Sequence, residues 1–172
     1  EVVTAEMNAS LTFEFTALEV EVALKQMAPL KAPGPDGMPL LFYQSYWPLL
    51  GNDVIQSVLH FLNSGSLPAA LGHSFVTLIP KVKNPKLVSQ FRPINLSNVL
   101  YRVFSKVLAN RLKKIMPQLI SEHQSAFLSD RLITDNIMVV FETLHYMRNH
   151  YAGKTGYMAL KLDMSKAYDR VE

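Results

Sequence analysis

Apolar positions along this 172-residue chain recur mostly with the helical period, and two or three short stretches alternate instead. Residues 1–15 show little period and are read as a tail or linker. Thr16 and Glu19, three apart, form a capping-box pattern ahead of "ALEVEVALKQMA", which predicts a helix over about 17–28. "KAPGPDGMP" stops it, because its prolines and glycines suit neither a helix interior nor a central strand. A second helical stretch starts near Pro39, is interrupted at Pro48 and runs on through "LLGNDVIQSVLHFLNSG" to Gly65. "LPAALG" is a short turn or helix. "SFVTLIPK" then alternates, with Phe75, Thr77 and Ile79 on one face and Val76 and Leu78 on the other. A loop and a second extended piece follow in "KNPKLVSQFRPINLS", which predicts a hairpin with Lys81 and Arg92 flanking its connecting loop.

Asn98 is placed to cap a long helix, "VLYRVFSKVLANRLKKIM", ended by Pro117. Leu100, Phe104, Val107, Leu108, Leu112 and Ile115 form its expected core stripe, with Arg102, Lys106 and Lys113 on another face. "SEHQSAFLSDRLI" is mostly irregular. Thr134 is placed to cap "DNIMVVFETLHYMRNH", "YAGKTG" is a turn, and "YMALKLD" reads as a last strand. Helices dominate and the strands are scattered, so the fold class is α+β rather than an alternating doubly wound sheet.

Charge adds what periodicity does not contain. Residues 1–72 sum to −5, and residues 73–172 sum to +8. No acid occurs between Asp53 and Glu122, and residues 81–114 of that gap carry nine Lys and Arg. So many uncompensated cations point to a polyanionic partner, or else to a solvated basic face. There is no cysteine, so disulfides and Cys-ligated zinc are excluded. No apolar run reaches the length of a membrane span and no signal-peptide pattern opens the chain, so the expectation is an intracellular protein without a membrane partner.

Candidate chemistry is sparse. In the last strand, period 2 sets Tyr157, Ala159, Lys161 and Asp163 on one face. An acid at the exit of a strand can bind a hard cation with phosphates and water, or simply cap a turn. Lys81 and Arg92 could grip a triphosphate from opposite arms of the hairpin, or be ordinary surface cations beside a turn. Asp36, inside "PGPDG", is better read as closing that turn. The five histidines lack metal-ligand spacing, and neither a phosphate-cradling G-x-x-x-x-G-K-[ST] loop nor a G-x-S-x-G elbow is present.

Six segments give the chain its resemblance: "KAPGPDGMP", "LIPKVKNP", "FRPINLSNVLYRVFSKVLANRL", "SEHQSAF", "RLITDNI" and "KLDMSKAYDRV". In this order and approximate spacing they resemble the reverse transcriptase of non-LTR (LINE-type) retrotransposons, most like those of plants. The resemblance runs from about residue 11 to the end of the chain. It implies a right-hand polymerase, here a truncated one: fingers over about 16–155 and the first palm strand and start of the palm over about 156–172. By the same resemblance Asp163 matches the metal-binding aspartate of the first palm motif, and Tyr168 the bulky gate beneath the incoming sugar. Lys81 and Arg92 match finger residues that hold the dNTP triphosphate. Gln124, Phe127 and Arg131 fall in a motif near the template strand.

The implied reaction is two-metal nucleotidyl transfer from dNTP to a DNA primer on an RNA template, with two Mg²⁺ ions in the complete enzyme and a nuclear or cytoplasmic location. The family's Tyr-x-Asp-Asp box is missing, so the isolated chain is expected to be inactive. Family members often carry Gly where Ala126 and Asp130 stand. Asp130 is better tolerated than most residues if its turn needs positive φ, but less well than Gly. Two other readings stand beside the polymerase: a non-catalytic nucleic-acid-binding module, which the basic segment alone would support, and a degenerate retroelement product.

Overall fold

The computed structural model describes residues 3–125, 128, 130–150 and 156–162. The chain divides into two compact units, Glu1–Leu119 and Ile120–Glu172.

The first unit opens with α1 (Ala5–Thr12), whose N-terminus is closed by Thr4: its hydroxyl accepts from the Met7 N–H at 3.2 Å. This helix occupies the stretch read from sequence as tail or linker. None of its side chains is buried, so it carries no apolar period by which to read it. α2 (Ala17–Lys25) begins at the predicted capping box. The Thr16 hydroxyl accepts from the Glu19 N–H, and the Glu19 carboxylate accepts from the Thr16 N–H at 2.9 Å.

α3 (Leu40–Ser45) follows Pro39, and α4 (Trp47–Ser64) holds Pro48 in its first turn, where a missing N–H leaves nothing unpaired. α4 ends at Gly65, whose φ of 70° is the left-handed closure that glycine allows. α5 (Ala69–Gly72) leads into β1 (Ser74–Pro80), which pairs antiparallel with β2 (Phe91–Ser97) from Ser74 opposite Ser97 to Pro80 opposite Phe91. β1 is exposed at every position, so the ribbon leaves both faces in solvent.

α6 (Val99–Leu119) is the axis of the unit. Val99, Val103, Val107, Arg111 and Ile115 are buried, one every four residues. With Val20, Ala23 and Leu24 of α2, Leu40 of α3, and Val54 and Val58 of α4, the three valines Val99, Val103 and Val107 and Ile115 make up the buried apolar core; Ile115 stands outside its main cluster. The stripe expected from sequence is corrected here. Leu108 and Leu112 are each 44% exposed, because α6 meets α2 and α4 along a narrow edge. Pro117 does not end α6 but sits in its last turn, where the carbonyl it leaves unbonded can face water. Asn98 is also not a side-chain cap: its amide bonds to other segments.

In the second unit α7 (Ile133–Asn149) starts one residue before Thr134. Its cap is Leu132, whose N–H donates to the Asp135 carboxylate at 3.3 Å. α7 buries none of its side chains, and Ile137, Met138, Val139, Val140 and Phe141 are all exposed. Residues 157–162, read from sequence as most of a strand, join no ladder among the described residues. A strand is held by the neighbour it bonds to, and alternation alone supplies none. No helix among the described residues is long and apolar enough to cross a membrane.

Candidate functional site

The hairpin places the first two candidate residues. Register sets Arg92 opposite Ile79. Lys81 extends the pairing one step past β1, its N–H donating to the Gln90 carbonyl at 2.7 Å. Alternation therefore brings Lys81 to the same face as Ile79 and Arg92, so the two cations are diagonal neighbours, about 7–8 Å apart at their backbones. Both are exposed. The Lys81 ammonium donates to the Ser89 carbonyl at 3.1 Å, within the same loop.

That loop is closed by one side chain. The Gln90 carbonyl oxygen Oε1 accepts from the Lys86 N–H at 2.6 Å and the Leu87 N–H at 3.1 Å. Asn84 takes φ 58°, a left-handed turn position that asparagine tolerates. A bond network internal to the loop thus shapes the end of the ribbon that carries Lys81 and Arg92.

The other end of the ribbon is rooted by Asn98, which is 5% exposed. Its Oδ1 accepts from the Asp36 N–H at 3.2 Å, and its Nδ2 donates to the Ala70 carbonyl at 3.4 Å. Asp36 does close its own turn as well, its carboxylate accepting from the Met38 N–H at 3.1 Å. Gly34, in the same Pro-Gly loop, lies against the junction of β2 and α6. A Cβ on Gly34 would stand 2.5 Å from the Asn98 nitrogen and 2.5 Å from the Ser97 carbonyl carbon.

Arg111 departs from its sequence reading. One of the nine cations counted toward a polyanion site, it is 6% exposed and already neutralised. Its Nε donates to Glu19 Oε1 at 2.6 Å and its Nη2 to Glu19 Oε2 at 2.8 Å. Further N–H groups reach the carbonyls of Leu11, Phe13 and Glu14, and the guanidinium lies 3.6 Å over the Phe15 ring. The hydrogen bond from Arg111 holds the Glu19 carboxyl down at about 2, against partial burial that would raise it. Burial, assisted by the Asp36 charge, raises the Tyr43 phenol. Arg102 is partly withdrawn too, with Nε and Nη2 out of solvent and without partners among the described residues.

On α6, Lys113 and Lys114 are exposed and Lys106 is half-buried. With Asn110 and Gln26 they line a cleft of about 650 Å³ between α6 and α2. Among the described residues the ion pairs are Lys25 with Glu21 and Arg111 with Glu19, so these lysines form no ion pair there; the one carboxylate lining the cleft, Glu19, is held by Arg111.

In the second unit, Gln124 and Arg131 are brought together. Arg131 Nη1 donates to the Ser121 carbonyl at 2.5 Å and the Gln124 carbonyl at 2.7 Å. Asp130 takes φ 63°, so the turn before Arg131 does require the left-handed conformation that glycine adopts most easily. Phe127, Asp163 and Tyr168 lie outside the described residues. Among the described residues no group of three His, Cys, Asp or Glu could hold a metal ion.

Two signals in the sequence pointed to what its reading missed. Counting strictly by four from Val99 lands on Arg111, which marks it as a core-facing cation in need of a partner. The acid of the capping box, Glu19, was already in view. Asn98 offered no such signal, because its partners lie 62 and 28 residues away.

Comparison with known proteins converges on one family. The family model described as reverse transcriptase (RNA-dependent DNA polymerase) matches residues 79–172. A transposon TX1 uncharacterized 149 kDa protein of Xenopus laevis is 31% identical over 99% of this chain, which covers 13% of that protein. Retrovirus-related Pol polyproteins from type-1 retrotransposable element R2 are also similar. That of Nasonia vitripennis is 30% identical over 82% of the chain and 13% of its own length, and that of Popillia japonica 28% over 89% and 20%. The chain therefore spans 13–20% of these curated relatives.

Proposed function

The chain belongs to the reverse transcriptase (RNA-dependent DNA polymerase) family, and from that premise we propose that it forms the fingers side and palm entrance of a non-LTR retrotransposon polymerase. In this reading the hairpin presents Lys81 and Arg92 to the triphosphate of an incoming dNTP. The observation that supports it best is their placement: two exposed cations, diagonal on one face of a ribbon and held by a pre-closed loop. Arg offers a planar fork and Lys a mobile point charge, and a triphosphate presents oxygens to both.

The remaining assignments complete the proposal. Asp163 would contribute a carboxylate to a divalent-metal site, with Mg²⁺ the ion proposed, and Tyr168 would stand beneath the sugar. When bound, the metals lower the barrier for attack of the primer hydroxyl and stabilise the departing pyrophosphate. The described residues do not build that metal site, so what this chain's own geometry supports is nucleotide capture by the hairpin. Gln124, Phe127 and Arg131 are proposed to line the template, with RNA template and DNA primer as partners. Arg131 would do so while bracing its own turn through Ser121 and Gln124.

Titration of the chain with Mg²⁺·dATP tests this. Lys81→Ala with Arg92→Ala should weaken triphosphate binding at least about tenfold, since each charge-assisted contact contributes on the order of 1.5–3 kcal/mol. Affinity for a single-stranded RNA should fall by a smaller factor than triphosphate affinity, because two of many phosphate contacts are lost. Equal losses on both ligands would favour a plain nucleic-acid-binding module instead.

A further inference from the structure

We propose that Asn98 and Gly34 are positioning residues that aim the nucleotide-facing hairpin from its root, an inference that rests on the nucleotide-capture reading of Lys81 and Arg92. β1 is exposed at every position, and β2 is buried at none of its own. A two-stranded ribbon in solvent has no face by which packing could orient it. Its direction must then be set where it enters and leaves the unit.

Both points converge on one side chain. The chain enters the ribbon from α5 and leaves it through Ser97 into Asn98. The Asn98 amide binds the Ala70 carbonyl of α5 with its donor end and the Asp36 N–H of the Pro-Gly loop with its acceptor end. One buried group therefore ties the incoming segment, the outgoing segment and a rigid loop. Gly34 completes the seat, because only a residue without a Cβ allows that loop to press on the Ser97–Asn98 backbone.

The lever is long. Lys81 and Arg92 stand at the far end of strands about 20 Å in length. A 10° change at the root would move them about 3.5 Å, more than the 2.7–3.2 Å reach of a hydrogen bond. Displacement of that size is enough to lose the triphosphate contacts while leaving the core of α2, α4 and α6 intact.

The chain has no cysteine, so paired labels can be introduced cleanly. Spin labels at Asn84→Cys, on the ribbon's loop, and Gln56→Cys, on α4, should give a narrow distance distribution by pulsed electron resonance. In Asn98→Ala it should broaden severalfold and Mg²⁺·dATP affinity should fall about tenfold, with helical circular dichroism retained. Asn98→Asp keeps the acceptor for the Asp36 N–H and should restore part of both. An unchanged distribution in a folded Asn98→Ala chain overturns the proposal. So does broadening with unchanged dATP affinity, in a wild type that binds through Lys81 and Arg92. Where the variants do not fold, amide exchange in the wild type decides: the Asp36 N–H, on an exposed loop, should be protected, and free exchange there overturns the clamp. Wild-type chain that binds no dATP through Lys81 and Arg92 refutes the nucleotide reading instead, and the distance and exchange results still judge the clamp.

Discussion

Arg111 has a hydrogen-bond partner for nearly every donor it owns, and that makes it a structural cation rather than a ligand-binding one. Replacing it with Met would strand the Glu19 carboxylate and three carbonyls, and should cost about 3 kcal/mol in urea unfolding. Glu19 supplies the matching pH dependence. Its carboxyl is held at about 2 in the folded chain against an ordinary value of 4.5. Between those values the unfolded chain takes up a proton that the folded chain refuses, so the contribution is full above about pH 4.5 and is lost as pH falls through about 2. Glu19→Gln should therefore be about 2–3 kcal/mol less stable than wild type at pH 6, with the two converging toward pH 2. Denaturation midpoints across that range check it, and a difference independent of pH would mean that the pair contributes no charge–charge stabilisation. The sequence showed both residues but not the bond, since local pattern carries no information about a contact 92 residues apart.

At the scale of elements, the legible parts were those whose cause is local. The capping box opens α2, Pro48 falls in the first turn of α4, and alternation draws the hairpin. What failed depended on a neighbour. The α6 stripe was read too broadly because Leu108 and Leu112 are apolar and in period, yet α2 and α4 cover only the edge that holds Val99, Val103 and Val107. Residues 157–162 alternate like a strand but have no ladder partner among the described residues. The stripe correction is measurable. Val103→Ala removes two buried methyl groups and should cost about 2 kcal/mol, whereas Leu112→Ala, a larger truncation at a half-exposed site, should cost under about 1 kcal/mol. The reverse order in thermal or urea denaturation would restore the wider stripe.

For the whole molecule, the count of cations matters less than how many of them water can reach. Nine Lys and Arg lie in residues 81–114, but Arg111 is spent on Glu19 and Arg102 is partly withdrawn. That leaves Lys81, Lys83, Lys86 and Arg92 on the hairpin and its loop, and Lys106, Lys113 and Lys114 on α6. Should all seven meet phosphates of a single-stranded RNA, log affinity would fall with log salt at a slope of about −5. Lys113→Ala with Lys114→Ala should flatten that slope by about 1.4, one counterion release per lost contact. The neutral exchange of Glu19→Gln with Arg111→Met should leave it unchanged, because it removes a cation that no phosphate can reach. Fluorescence anisotropy of a labelled RNA over a salt series separates the outcomes. A slope that flattens in the Glu19–Arg111 exchange as much as for one surface lysine would show that the buried guanidinium opens toward RNA, and the folded pair would then be a closed state of that site.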